Sequence, residues 1–144
     1  MMVYSNMDTT KFSDPAIVGP GCWFKIHMDA LHADTNSAKL NFIKFMTQMS
    51  EKFKCVDCRQ HFKNYLVEHP PSDYFMKEQG MFIWAWEFHN AVNVRLHKPI
   101  ITYEEALEYF STADEGVCFD CGESSQKDVP SLLNQYVHKR FMQR

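Results

Sequence analysis

The sequence predicts an all-α fold: a four-helix bundle with a short fifth helix and a C-terminal tail carrying one further amphipathic helix. Three observations predict it. Apolar residues recur at helical spacing along most of the chain, with no sustained period-two alternation. Glycine and proline, 5 and 6 residues, sit between the periodic segments. Hydrophobic residues make up 45% and aromatics 15% of 144 residues, ample material for one core.

Residues 1–18 read as an N-terminal arm. After Gly19-Pro20-Gly21, a first helix places Trp23, Ile26, His27, Ala30 and Leu31 on one face. Asp34 to Ser37 form a break with capping residues. A second helix, from about Ala38 to Phe53, turns Phe42, Phe45, Met46, Met49 and Phe53 inward. The third runs from about Val56 to Val67 and stops before Pro70-Pro71. The fourth, from about Lys77 to His97, carries the stripe Met81, Trp84, Ala85, Phe88, Val92 and Leu96, beside a second stripe of Phe82, Trp86, His89 and Asn93. Pro99 ends it. Thr102-Tyr103-Glu104-Glu105 fits a capping box opening a fifth helix through about Phe110, with Tyr103, Ala106, Leu107 and Phe110 inward. Residues 19–112 form the core on this reading, and 113–144 the tail, whose last helix starts near Pro130 with Leu133, Tyr136, Val137, Arg140 and Phe141 on one side.

Composition narrows the function. Net charge is −3 without a basic block, which argues against nucleic-acid binding. No apolar run approaches a membrane span. Met1 to Ser13 is polar and lacks the layout of a secretory signal, so the expectation is a soluble cytoplasmic protein. Of five cysteines, four form two C-x-x-C pairs, Cys55/Cys58 and Cys118/Cys121. In a chain kept among reduced thiols, such pairs are more often redox or metal sites than staples. Cys22 stands alone and reads as a small apolar residue beside Trp23.

Two cysteines three apart at a helix start can close a disulfide within one turn. The helix N-terminus there stabilises a thiolate, the attacking species in disulfide exchange. Cys55 and Cys58 meet that description. Cys118 and Cys121 lie in an acidic stretch with Asp114, Glu115, Asp120 and Glu123, where an exposed pair could pass electrons between a partner and the first pair. The alternative is a zinc-stabilised binding module using all four cysteines. Its spacing argues against it: about sixty residues separate the pairs, far more than a zinc knuckle uses. His89, Asn90 and Asn93 add three polar side chains within an apolar helix, and burying them demands partners. A planar, heteroatom-rich cofactor would supply partners, and Trp23, Trp84 and Trp86 offer stacking surfaces.

These residues resemble the Erv/ALR family of FAD-linked sulfhydryl oxidases, most of all the short versions of large DNA viruses. The resemblance spans about Gly19 to Phe110. It rests on H-N-x-V-N-x-R-L-x-K-P at His89 to Pro99, Trp84 five residues earlier, Cys55/Cys58, and G-x-x-x-W-x-x-x-H at Gly19, Trp23 and His27. It implies a helical bundle binding FAD, usually as a homodimer, that forms disulfides in protein thiols. Electrons would pass through the C-x-x-C pairs to FAD and then to oxygen, giving hydrogen peroxide. Cys58 would be the flavin-proximal sulfur and Cys55 the one attacked by the incoming thiolate. Gly19, Trp23, His27, His61, His89, Asn90, Val92, Asn93 and Lys98 would contact FAD, with no metal. Cys118 and Cys121 would be a shuttle disulfide fed by thiol-containing protein substrates or a thioredoxin-like carrier. A viral member would work in the host cytoplasm or the virion. Two departures stand out. Trp86 and Tyr103 occupy positions where many cellular members carry a structural disulfide, so packing must replace that staple. The usual Tyr-Pro after the first helix is absent, with Ala33-Asp34 near its place.

Overall fold

The computed structural model describes the backbone of residues 15–53 and 55–116, and the side chains of 21–53 and 55–114. Five α-helices follow in order: α1 (Pro15–Leu31), α2 (Asn36–Lys52), α3 (Val56–Glu68), α4 (Gly80–Arg95) and α5 (Tyr103–Gly116). A 3-10 turn, Pro71–Tyr74, precedes α4. Among the described residues there is no strand, and the all-α expectation holds.

Local chemistry sets most of the ends. Thr35 caps α2, its side-chain oxygen accepting from the Ala38 N–H at 3.1 Å. The capping box of α5 is present: the Glu105 N–H donates to Thr102 Oγ1 at 3.1 Å and the Thr102 N–H donates to Glu105 Oε2 at 3.0 Å. Three helices differ from their sequence-read bounds. α1 begins at Pro15, whose fixed φ and missing N–H suit a first turn, and it continues through Gly19-Pro20-Gly21. α4 begins at Gly80 instead of Lys77, because Gln79 takes a left-handed φ of 51° and breaks the helical path. α5 runs on to Gly116, held by burial of Ala113 and by Asp114, which meets His32 at 2.8 Å.

The end of α4 is closed by a Schellman motif. His97 is left-handed at φ 55°, its N–H donates to the Val94 carbonyl at 3.1 Å, and the Lys98 N–H donates to the Asn93 carbonyl at 2.8 Å. That closure fixes where Lys98 leaves the helix.

α4 is the central element. Met81, Phe82, Trp84, Ala85 and Phe88 are buried, and so are His89 and Asn93 on the adjoining side. α1 lies antiparallel to it, with Trp23 at 5.2 Å from Phe88 and His27 at 5.8 Å from Phe82. α3 is antiparallel as well, with Phe62 at 4.6 Å from Phe88 and Tyr65 at 5.9 Å from Trp84. The start of α3 is thereby set beside the end of α4. Phe110 of α5 stacks on His27 at 4.4 Å and meets Phe82 edge-on at 6.1 Å. Trp86 and Tyr103 meet edge to face at 5.6 Å, so an aromatic contact fills the place of the staple. Leu96, read as the last inward residue of its stripe, is 43% exposed because the helix has already ended.

Candidate functional site

Cys55 is the N-cap of α3, and Cys58 stands in its first turn, with the Cys58 N–H donating to Cys55 Sγ at 3.3 Å. Both thiols are free and partly exposed. Their acidities are split. The Cys58 thiol donates to Cys55, which lowers the Cys55 pKa, aided by the backbone N–H of Cys58. Burial raises the Cys58 pKa first, and the same donation and the Cys55 charge raise it further. In the reduced pair the first thiolate therefore belongs to Cys55, the more exposed sulfur.

Arg95, the last residue of α4, opposes the rise at Cys58: the charge of its guanidinium stabilises the thiolate. Sequence reading passed over this residue. A basic side chain in the last turn of a helix reads as a complement to the helix dipole, and the motif gave no sign of its partner.

A second group lies between α1 and α4. His27 Nε2 and His89 Nδ1 are 2.8 Å apart, both rings are buried, and one of the two nitrogens carries the shared proton. Burial pushes the His27 pKa down to about 3. Burial, then the charges of His27 and Lys98, holds His89 well below its usual value. Both imidazoles are thus neutral hydrogen-bonding groups at physiological pH. Trp23 stacks on His89 with centroids 3.9 Å apart and planes within 2°.

Asn93 is buried, and its amide reaches Asn90 Oδ1 at 3.5 Å. Asn90 has its amide committed to backbone: Nδ2 donates to the Ile101 carbonyl at 2.7 Å, and Oδ1 accepts from the Ile101 N–H at 2.9 Å. Val92 is half-buried on α4. His61 is exposed on α3. Gly19 falls within α1, but its surroundings lie outside the described residues, as do Cys118 and Cys121.

A helical bundle with a redox dithiol at a helix N-terminus and neutral buried imidazoles between two helices defines a class of thiol oxidoreductase. The Erv1 / Alr family profile matches residues 20–111, and the chain belongs to this family. It is 32% identical over 90 residues to an FAD-linked sulfhydryl oxidase of African swine fever virus, covering 60% of this chain and 74% of that protein. It is 28% identical over 78 residues to sulfhydryl oxidase 1 of Arabidopsis thaliana, covering 54% of this chain and 14% of that protein. A probable FAD-linked sulfhydryl oxidase of Acanthamoeba polyphaga mimivirus is 28% identical over 75 residues, covering 51% and 52% respectively. The chain is accordingly an FAD-linked thiol oxidase, and the zinc module gives way to the flavin reading. The residues present fit the cofactor: the indole–imidazole slab offers a flat face, the neutral imidazoles offer hydrogen bonds without charge, and Lys98 and Arg95 supply cations for a pyrophosphate or an electron-rich ring. No helix among the described residues is long and apolar enough to cross a membrane.

Proposed function

We propose that this protein forms disulfides in protein thiols, drawing electrons through Cys55–Cys58 to FAD and on to oxygen with release of hydrogen peroxide. The observation that carries the reading is the asymmetric dithiol at the start of α3, set against the end of α4 where Arg95 meets Cys58. A substrate thiolate attacks Cys55 Sγ of the oxidised pair, the Cys55–Cys58 bond breaks, and Cys58 leaves as a thiolate. A second substrate thiolate then attacks the mixed disulfide, giving the substrate disulfide and freeing Cys55. Attack at Cys55 suits its exposure and its lower pKa as a later leaving group. Cys58 suits the inner role because Arg95 holds its negative charge as it leaves. Bound FAD supplies the two-electron chemistry that connects the dithiol to oxygen. Trp23, His27, His89, Asn93 and Lys98 would hold it, and His61, Val92 and Gly19 would flank it.

Cys118 and Cys121 serve as the shuttle pair that takes electrons from thiol proteins or a thioredoxin-like carrier, in a homodimer working in host cytoplasm or the virion. Flavin absorbance and oxygen uptake with dithiothreitol test the reading together. Wild type bleaches and recovers in air while consuming oxygen. Cys58→Ser keeps its bound flavin and loses turnover. Full thiol oxidation by that variant would overturn the assignment.

A further inference from the structure

The loop after α4 is held with unusual thoroughness for a segment whose flanks are exposed. Pro99 and Ile100 are exposed, Ile100 at 61%, yet Ile101 beside them is 2% exposed. Its carbonyl accepts two side-chain donors, Asn90 Nδ2 and Trp86 Nε1, both at 2.7 Å, and its N–H donates to Asn90 Oδ1 at 2.9 Å. An asparagine amide matched to both backbone polar groups of one residue mimics a strand pair, and it satisfies backbone that water reaches poorly. Tyr103 backs this contact. Its ring meets Trp86 at 5.6 Å and Phe82 at 5.9 Å, and its hydroxyl donates to Gln79 Oε1 at 2.5 Å. At the other end of the loop the Lys98 N–H is tied to the Asn93 carbonyl at 2.8 Å. Lys98 is therefore pinned from both sides, with two residues, Pro99 and Ile100, between its tether and the Ile101 bridge.

We propose that the Asn90–Ile101 bridge, buttressed by Trp86 and Tyr103, is a positioning device that fixes Lys98 at the mouth of the cofactor site without thiol chemistry. This rests on the reading of Lys98 as an FAD contact. It reassigns Asn90: the amide acts through the loop and not on the cofactor. A site held this way withstands the dithiols that serve as its substrates, because no bond in the clamp can be reduced.

A double-mutant cycle on the full chain tests it, read as FAD affinity from quenching of flavin fluorescence. Asn90→Ala weakens FAD by about tenfold, the loss of a buried amide bridge. Lys98→Ala weakens it by a similar factor, and the double variant loses little more than either single change, because both remove one Lys98 contact. Losses that multiply, or an Asn90→Ala affinity equal to wild type, would overturn the proposal. If wild type itself binds no FAD, the flavin reading of this chain fails instead. Should Asn90→Ala not fold, Asn90→Asp keeps the acceptor for the Ile101 N–H and removes the donor, and a loss smaller than that of Lys98→Ala is expected, again absent when Lys98 is already alanine. In a Cys58→Ser background, where thiols cannot drain into the flavin, FAD affinity stays the same with and without dithiothreitol. A drop on reduction would mean that a disulfide, and not the clamp, supports the site.

Discussion

At the scale of single residues, charge placement around two sulfurs and two imidazoles decides the chemistry. Cys58 is disfavoured as a thiolate by burial, and Arg95 is the group that works the other way. No carboxylate among the described residues pairs with Arg95, so its charge is available to the sulfur. Arg95→Gln is expected to slow alkylation of reduced Cys58 at neutral pH by on the order of tenfold. Arg95→Lys should recover much of it, and Cys55 should be little affected, as peptide mass spectrometry of each site would read. Equal slowing at both cysteines would count against a specific pairing. The histidines yield a pH prediction. His27 falls to about 3 in the folded chain and His89 is also depressed, while both return to about 6.5 when unfolded. Below 6.5 the unfolded chain binds protons that the folded chain refuses, so stability is full above that pH and declines as pH falls. Each histidine contributes a slope of at most about 1.4 kcal/mol per pH unit. His27→Gln should roughly halve the decline between pH 6.5 and 4.5, measured as the shift in urea midpoint. An unchanged slope would place the acid sensitivity elsewhere.

At the scale of elements, the sequence was legible where a signal is local and blurred where tertiary contacts decide. The capping box at Thr102 and Glu105 and the start of α3 at Cys55 follow from a few adjacent residues, and both are present. The inward residues Ile26, His27, Phe42, Met46 and Trp84 follow from helical period, and all are buried. The ends of α4 and α5 depended on distant partners: Gln79 is held by Tyr103, and Asp114 by His32. Neither pairing leaves a trace in hydropathy. The bridge from Asn90 to Ile101 leaves no sequence signal for a similar reason, since Ile101 is one apolar residue in a loop without periodicity. The start of α4 carries its own prediction. A Cβ on Gly80 would stand 1.9 Å from the Tyr74 carbonyl oxygen, a contact with rigid backbone that no rotamer relieves. Gly80→Ala is expected to cost about 3 kcal/mol, because the Pro71–Tyr74 turn must move off α4. A thermal midpoint within experimental error of wild type would show that this turn yields freely.

At the scale of the whole molecule, antiparallel packing separates the two ends that a shuttle would have to join. Cys58 sits with Arg95 at the close of α4, whereas Asp114 near the close of α5 pairs with His32 just past α1. Because α1 runs antiparallel to α4, His32 lies level with the start of α4. The 16 residues of α4 make that separation about 24 Å. From Gly116 the chain has two residues to Cys118 and five to Cys121, reaches of at most about 7 and 17 Å when fully extended. Both reaches are shorter than that separation, which favours delivery to a neighbouring copy if the second pair acts as a shuttle. Mixing subunits tests this: Cys58→Ser keeps a shuttle without a core, and Cys118→Ser keeps a core without a shuttle. Neither alone should oxidise a protein dithiol efficiently. Co-refolded in equal amounts, random pairing makes half of the dimers mixed, each with one working combination of two, so about a quarter of wild-type activity should return. Delivery within a single subunit would leave the mixture as inactive as its parts.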